Sequence, residues 1–382
     1  MRPKTMLWLP LGVLFLSACG GAKASPVSAT TAAETSAAPA VTQTLLTAAI
    51  NTPAVTPSPA GTLPPSSPMQ GLVYTASSVG GGFSGLWLVE AGGQSKLLSD
   101  KAYPVLSPDR TQVLYSDQED IWLMDLGAKK SVNLTKTGDR VEAYYQWGPA
   151  GSDLIVCQWQ PADDIQPMAG YLTTLKTDGT NVLVLDEHIG SISPAAISPD
   201  GQTIAFDRAG EPSVYHQTAG MMPIFPKNFT TSFRLAVNPE WSPDGRKIAW
   251  QLFGDQEGTD GWSATAILDL DTMTVSLLHR YTILFGSDIG YYHLAWSPDG
   301  QWLAVVNQAE LAADEGSSLW IMRSDGSEEH HLGGGGRPVW SPDSQTMVYS
   351  ASSKVFAAGV ETWQAYQVTL PEKSVVTDWV EI

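Results

Sequence analysis

The chain reads as an all-β, seven-bladed β-propeller of four-stranded antiparallel blades, with a six-bladed ring as the alternative. Three observations predict this. A short turn phrase recurs six times, a strand-like run follows each copy, and partial units at the two ends of the repeats complement one another. The phrase stands as Leu106-Ser107-Pro108-Asp109-Arg110, Trp147-Gly148-Pro149-Ala150-Gly151, Ile197-Ser198-Pro199-Asp200-Gly201, Trp241-Ser242-Pro243-Asp244-Gly245, Trp296-Ser297-Pro298-Asp299-Gly300 and Trp340-Ser341-Pro342-Asp343-Ser344. Its prolines lie 41, 50, 44, 55 and 44 residues apart. Self-similarity at such a period means one supersecondary unit stacked many times.

The phrase itself encodes a hairpin. Proline sets φ for the first central position of a type I turn, Asp suits the second, and Gly accepts the left-handed residue that follows. A type I turn plus a left-handed residue is a common three-residue loop between adjacent antiparallel strands. Six near-identical copies favour this structural role for the Asp residues over metal binding or acid chemistry. Two copies break the glycine rule, at Arg110 and Ser344.

The runs after the phrase, such as Lys247-Ile248-Ala249-Trp250 and Thr346-Met347-Val348-Tyr349, are rich in β-branched and aromatic residues, as strands are. Third strands follow at Ile121–Met124, Tyr171–Thr174, Ser318–Ile321 and Trp363–Tyr366. Tight polar turns such as Thr177-Asp178-Gly179-Thr180 and Ser324-Asp325-Gly326-Ser327 end them, and short fourth strands close the units. Four antiparallel strands repeated radially make a propeller.

The Trp-Ser-Pro-Asp-Gly phrase, its hydrophobic strand and the later Asp-Gly turn resemble the WD40-like repeat of TolB-type propellers over residues 71–382. The Trp-Asp and Gly-His pairs of true WD40 repeats are not seen. The resemblance implies a bacterial cell-envelope protein that works by binding other molecules.

Before the first phrase lie Leu72–Thr75, Leu86–Val89 and Lys96–Leu98, which read as second, third and fourth strands of a blade lacking its first. The tail Asp378-Trp379-Val380-Glu381-Ile382 is placed to supply that strand and close the ring. Closure removes edges that invite aggregation. Residues 71–382 allow about 45 residues per blade in seven blades, or about 52 in six.

The N-terminus has a different character. Residues 1–18 carry Arg2 and Lys4, an apolar run from Met6 to Leu16, then Ser17 and Ala18, which is the pattern of an export signal too short to span a membrane. Leu16-Ser17-Ala18-Cys19 resembles the bacterial lipoprotein box, which implies Cys19 as the lipidated first residue and a membrane anchored to but not crossed. Residues 19–70 then form a tether rich in Ala, Thr, Ser and Pro. It cannot bury enough apolar surface to fold, and its prolines keep it extended. The predicted location is therefore outside the cytoplasm, facing periplasm or cell exterior.

Bulk composition narrows the partners. The formal charge is −18, and loss of Arg2 and Lys4 with the leader takes it to −20. No basic stripe offsets this, so nucleic-acid binding is not expected. Cys157 is the one cysteine besides Cys19, lies in a predicted strand, and reads as a buried structural residue. No cofactor and no metal site is expected, and the chain is expected to be a monomer. The acidic loop Asp255–Asp260 lacks a calcium-loop pattern. His330 and His331 are neighbours in a predicted fourth strand, so they point to opposite faces.

A propeller has two rims. The turns joining strands one to two and three to four are uniformly tight here. The other rim carries the long connections: Gln158–Ala169, Asp186–Ser193, Pro226–Asn238, Phe253–Trp262, His279–Tyr292 and Asn307–Ser317. Long loops on a rigid scaffold are where binding resides. These hold Trp159, Phe229, Phe253, Trp262, Tyr281, Phe285, Tyr291 and Tyr292, aromatic contacts of the kind favoured at interfaces. Glu240, His293 and Arg337 stand at or near the starts of first strands, which line the channel, and are candidates for touching a ligand at its mouth.

The expected function is that of a non-catalytic envelope lipoprotein binding a protein or peptide through the long-loop rim. Recognition of a glycan or small ligand is the alternative, and channel-mouth hydrolase or lyase chemistry a third reading. The chain contains no Gly-x-Ser-x-Gly elbow, and the propeller accounts for residues 71–382, so an α/β-hydrolase peptidase domain is not expected. On the turn assignment, Arg110→Gly and Ser344→Gly should each raise the melting temperature slightly, because a non-glycine residue in the left-handed region costs on the order of 1 kcal/mol.

Overall fold

The computed structural model describes residues 69–380, apart from 78–82, 118–119, 137–140, 161–168, 181–182, 187–194, 209, 226–228, 230–232, 234, 256–260, 284–292, 308–316 and 371–373. The segments 1–18 and 19–70 fall almost wholly outside it. Seven four-stranded antiparallel sheets form a seven-bladed ring. The described residues contain no helix.

Blade 1 closes the ring. Its strands run in the order Ser374–Trp379, Leu72–Ser77, Phe83–Val89 and Ser95–Ala102. Leu72 pairs with Trp379 and Thr75 with Val375, so the two ends of the propeller share one ladder. The closing strand begins four residues before the predicted tail, at Ser374. The first strands of blades 2 to 7 are Val105–Leu106, Val141–Trp147, Ala196–Ile197, Leu235–Trp241, His293–Trp296 and Gly336–Trp340.

Alternation along each second strand supplies both faces of a blade. Leu154 and Val156 pack toward blade 2 with Leu114 and Ile121, whereas Ile155 and Cys157 pack toward blade 4 with Ile204 and Phe206. The same division recurs around the ring, so apolar clusters fill all seven interfaces between neighbouring blades. Cys157 is buried and unoxidised, and burial pushes its thiol up to about 12.

The repeated phrase builds the predicted hairpins. Arg110, Gly151, Gly201, Gly245, Gly300 and Ser344 all have φ between 62° and 74°. In blade 5, Ser242 Oγ donates to Asp244 Oδ1 at 2.6 Å and accepts from Lys247 N at 2.9 Å. Asp244 Oδ1 also accepts from Arg246 N at 3.0 Å. The same bonds recur from Ser107, Ser198, Ser297 and Ser341. The Asp oxygens are thus engaged within their own turns. The Ser hydroxyls and backbone N–H groups hold the Asp109, Asp200 and Asp244 carboxyls below their ordinary value.

The residue ahead of the phrase has a function that sequence spacing does not reveal. Trp147, Trp241, Trp296 and Trp340 donate Nε1–H to the carbonyls of Val105, Ala196, Glu240 and Ala295, one blade back, at 3.0–3.3 Å. Each indole therefore staples its blade to the preceding one near the axis. Leu106 and Ile197 hold the equivalent place in blades 2 and 4 and have no such donor.

Ser344 also departs from expectation. Its hydroxyl accepts from Asp299 N at 3.0 Å, joining the turns of blades 6 and 7, and the residue is buried. Relief of backbone strain in Ser344→Gly is offset by loss of this bond, worth about 1 kcal/mol. Ser344→Gly should leave the melting temperature nearly unchanged, Ser344→Ala should lower it, and Arg110→Gly should raise it. Trp241→Phe should cost about 1–3 kcal/mol in a denaturant titration, because it leaves the buried Ala196 carbonyl without its donor.

Candidate functional site

Three of the aromatic residues expected on the long-loop rim, Phe229, Phe253 and Trp262, are packed against the protein. Phe253 is 0% exposed and Trp262 is 3% exposed. Both lie in long strands, Lys247–Asp255 and Gly261–Asp269, which reach further toward the rim than the sequence pattern predicts. Trp262 lies flat over Gly254, where an added Cβ would stand 2.2 Å from its ring, so the bare backbone there is what admits the indole. Phe229 packs edge-on against Phe225, which stacks edge-on against the buried Trp250. Phe229, Phe253 and Trp262 thus hold the rim of blades 4 and 5 together rather than meeting a partner. The physical reason is area. Large apolar rings next to a sheet edge gain more by extending the strands and sealing the core than by standing in water.

Trp159 and Tyr281 also belong to strands, Asp153–Gln160 and Thr274–Ile283, not to loops. Their side chains lie outside the described residues, as do Phe285, Tyr291 and Tyr292 altogether. Of the predicted acidic loop, residues 256–260 lie outside them too.

The channel candidates fare differently. Three residues ahead of the tryptophan position stand Tyr103, just before the first strand of blade 2, and Tyr144, Asn238, His293 and Arg337 in the first strands of blades 3, 5, 6 and 7. Strand one runs from the long-loop rim toward the tight turns, so this level is the one nearer the long-loop rim. Tyr103, Asn238 and Arg337 each precede a proline and each hold a positive φ, at 48°, 53° and 51°. A residue before proline is normally extended, and left-handed geometry costs a non-glycine residue about 1–2 kcal/mol. In blades 5 and 7 the pairing shifts at the same place, between Val237 and Glu240 and between Gly336 and Val339. Such bulges re-aim side chains and concentrate beside functional sites.

Tyr103 is 45% exposed, and its carbonyl accepts the hydroxyl of Tyr145 from the next blade. His293 and Arg337 are both exposed, at matching positions of adjacent blades. Protein surrounding His293 holds its imidazole below the ordinary histidine range. The bond between Nδ1 and the Leu294 carbonyl, at 3.1 Å, opposes this, and the charge of Arg337 reinforces it.

Two carboxyls lie deeper, one residue before the tryptophan position. Glu240 is half-buried, and desolvation alone pushes it up to about 8. Its proximity is felt at Tyr144, whose hydroxyl is raised by burial first and by Glu240 second. Asp378 of blade 1 is also raised by burial, while the Trp379 N–H and the charge of Arg110 pull it back. On the same level Gln146 Oε1 is buried with no hydrogen-bond partner among the described residues.

Away from the channel, His330 and His331 point to opposite faces as the strand period requires. His330 lies by Trp302 and Trp363, whereas His331 stacks on Trp320 at 4.3 Å and meets Ser318 Oγ at 2.7 Å. His279 bridges blades 5 and 6. It contacts Glu329, takes a bond from Asn307 Nδ2 at 3.1 Å, and lies 4.4 Å from the Trp320 ring. Nothing in the spacing of these residues announces this contact. Among the described residues no three His, Cys, Asp or Glu side chains gather as a metal site.

A comparison with protein-family models finds no match. One curated relative, an uncharacterised peptidase of Bacillus subtilis, YuxL, is 23% identical over 133 residues, which are 32% of this chain and only 18% of the relative. Among solved structures, a protein assigned as a 6-phosphogluconolactonase from Bacteroides fragilis is 16% identical with a TM-score of 0.50. That match covers 81% of this chain and 96% of the other. TolB from Acinetobacter baumannii is 14% identical with a TM-score of 0.41, covering 80% and 81%. At these identities the likeness speaks to the propeller alone.

Glu240 links the channel to stability. In the unfolded chain it ionises near 4.5, and in the folded protein only near 8. The folded state then binds more protons across that window, so this residue's share of stability is intact below pH 4.5 and is lost as pH rises through 8. Glu240→Gln should raise the unfolding free energy at pH 9 by about 1–3 kcal/mol, since each tenfold change in proton affinity is worth about 1.36 kcal/mol and water at the channel screens part of it. At pH 4 thermal unfolding of the two proteins should coincide.

Proposed function

We propose that this chain is an exported lipoprotein, anchored through lipid on Cys19, whose propeller is a non-catalytic module binding a protein or peptide at the long-loop rim and channel mouth. The observation that carries the reading is the asymmetry of the two rims. On the tight-turn rim the Ser and Asp side chains are spent on their own backbone, and adjacent turns abut. On the other rim, positive-φ residues stand at the entrances to the first strands of blades 2, 5 and 7, at Tyr103, Asn238 and Arg337, with His293 of blade 6 at the same level. Backbone strain retained at equivalent positions is a mark of function.

Phe253 and Trp262 are buried and Phe229 packs on Phe225, so these three rings do not offer the open face that stacking on a sugar needs. Membrane attachment rests on the lipoprotein-type sequence ahead of Cys19.

A photo-cross-linking residue placed at Tyr103 in the native cell should capture a discrete partner, and the same probe at Gln345 on the tight-turn rim should capture none. Capture only from Gln345 would overturn the assignment of the rim. Cys19→Ala, placed behind a leader that is cleaved without lipidation, should move the protein from the membrane fraction to the soluble one. Retention in the membrane after that change would remove the lipid anchor from the reading.

A further inference from the structure

One place before the tryptophan position, each first strand sets one side chain at the same depth of the channel. Four of these are small and apolar: Val105, Ala196, Ala295 and Val339. The other three, Gln146, Glu240 and Asp378, offer oxygen, and no basic side chain stands on this level. Asp378 is answered, since it accepts from Trp379 N at 2.8 Å and feels the charge of Arg110. The other two are not. Gln146 Oε1 is buried without a donor among the described residues. No hydrogen bond and no opposite charge among the described residues acts on the Glu240 carboxyl, and loss of water alone pushes it up to about 8.

Blades 3 and 5 are joined at this depth through blade 4. Tyr144 precedes Gln146 by two residues on one strand and so shares its face. It pairs with Cys157, whose sulfur bonds to the Ala195 backbone of blade 4. From the other side Trp241 Nε1, next to Glu240, donates to the Ala196 carbonyl at 3.1 Å. Blade 4 thus places two small residues between its neighbours, and the Glu240 charge is felt at the Tyr144 hydroxyl of blade 3. The three polar side chains on this wall all present oxygen acceptors. A buried acceptor without a donor is normally matched by a ligand or water.

We propose that Tyr144, Gln146 and Glu240 form a binding site for a primary ammonium group, carried into the channel by a lysine side chain or chain N-terminus of the partner. The inference rests on the reading of the channel mouth as a binding surface and gives its ligand a chemical class. An ammonium holds three donors on one atom and no acceptor, which complements three oxygens converging from one wall. On binding, the Glu240 proton passes to the buffer, and the carboxylate left behind is stabilised by the ammonium charge. The strongly acidic protein, at −18, favours the approach of a cation. The other titratable groups around Glu240 are Tyr144 and Cys157 of blade 3, His293 of blade 6, Arg337 of blade 7 and Asp378 of blade 1. Tyr144 and Cys157 are raised and His293 is lowered, so none of these three changes charge between pH 7 and 9, where Glu240 does.

The test is calorimetric titration of the unlipidated chain carrying Cys19→Ala with acetyl-Ala-Lys-Ala-amide, Ala-Ala-Ala-amide and acetyl-Ala-Ala-Ala-amide. At least one of the two cationic peptides should bind at pH 7 and release close to one proton, read from buffers of differing ionisation enthalpy. Which of them binds tells a lysine side chain from a chain N-terminus. The neutral peptide should be silent. Glu240→Gln should abolish the proton release and weaken binding at least about tenfold, because the site then lacks its charge. Gln146→Met removes one acceptor and should weaken binding about tenfold while keeping the release. Silence of both cationic peptides, equal binding of the neutral one, or an undiminished release in Glu240→Gln would sink the proposal. Should either variant fail to fold, the proton release of the parent chain and the silence of the neutral peptide still decide. If cross-linking from Tyr103 captures a partner while both cationic peptides are silent, the rim remains the binding surface and only the ammonium class falls. Proton-releasing binding without any captured partner would separate the two the other way.

Discussion

Every sheet in this molecule is apolar on both faces, and that constraint shapes the rest. A four-stranded sheet with Leu154 and Val156 on one side and Ile155 and Cys157 on the other cannot stand in water. It needs a neighbour against each face, and each neighbour needs the same. The only finite arrangement that leaves no open face is a closed ring. The shared ladder between Leu72–Ser77 and Ser374–Trp379 is therefore a condition of the fold rather than an ornament of its ends. Closing a loop of about three hundred residues costs little more than closing one half as long, and it protects two faces and two edges at once.

The ring is tightened near its axis by polar bonds that the apolar wedges cannot supply. Indole N–H groups reach back to carbonyls of the previous blade, and Ser344 ties two turns together. Hydrophobic packing is non-directional and permits sliding of one blade on another. A hydrogen bond in a buried setting has a defined partner, and misplacing it strands a carbonyl. The tryptophan of the phrase thus sets the stagger of the blades, while the Ser-Pro-Asp portion closes its own hairpin.

Both devices belong to one rim, and the consequence is functional. The tight-turn rim consumes its own polar groups. The opposite rim carries the connections between blades and the strained entrances to the first strands, where the pairing register shifts in blades 5 and 7. A rigid frame can hold strained positions because its many packed contacts over-determine them.

Local chemistry is legible in the amino-acid order alone. The left-handed residue after Ser-Pro-Asp, the strand following it, the blade missing its first strand, the opposite facing of His330 and His331 and the buried Cys157 all depend on neighbours within a few residues, or on a period of two. Glu240, His293 and Arg337 can be placed in the channel because the repeat gives their position within a blade. Other features resist such a reading. Whether Phe253 and Trp262 are loop anchors or core depends on how far two strands extend, and only packing against blade 4 decides that. The reach of Trp241 to Ala196 and the contact of His279 with Glu329 join separate blades, so no local pattern carries them. Sequence settles what each repeat becomes because turn geometry and alternation act over short range. Which side chains are left for a partner is settled only once seven repeats compete for the same buried space.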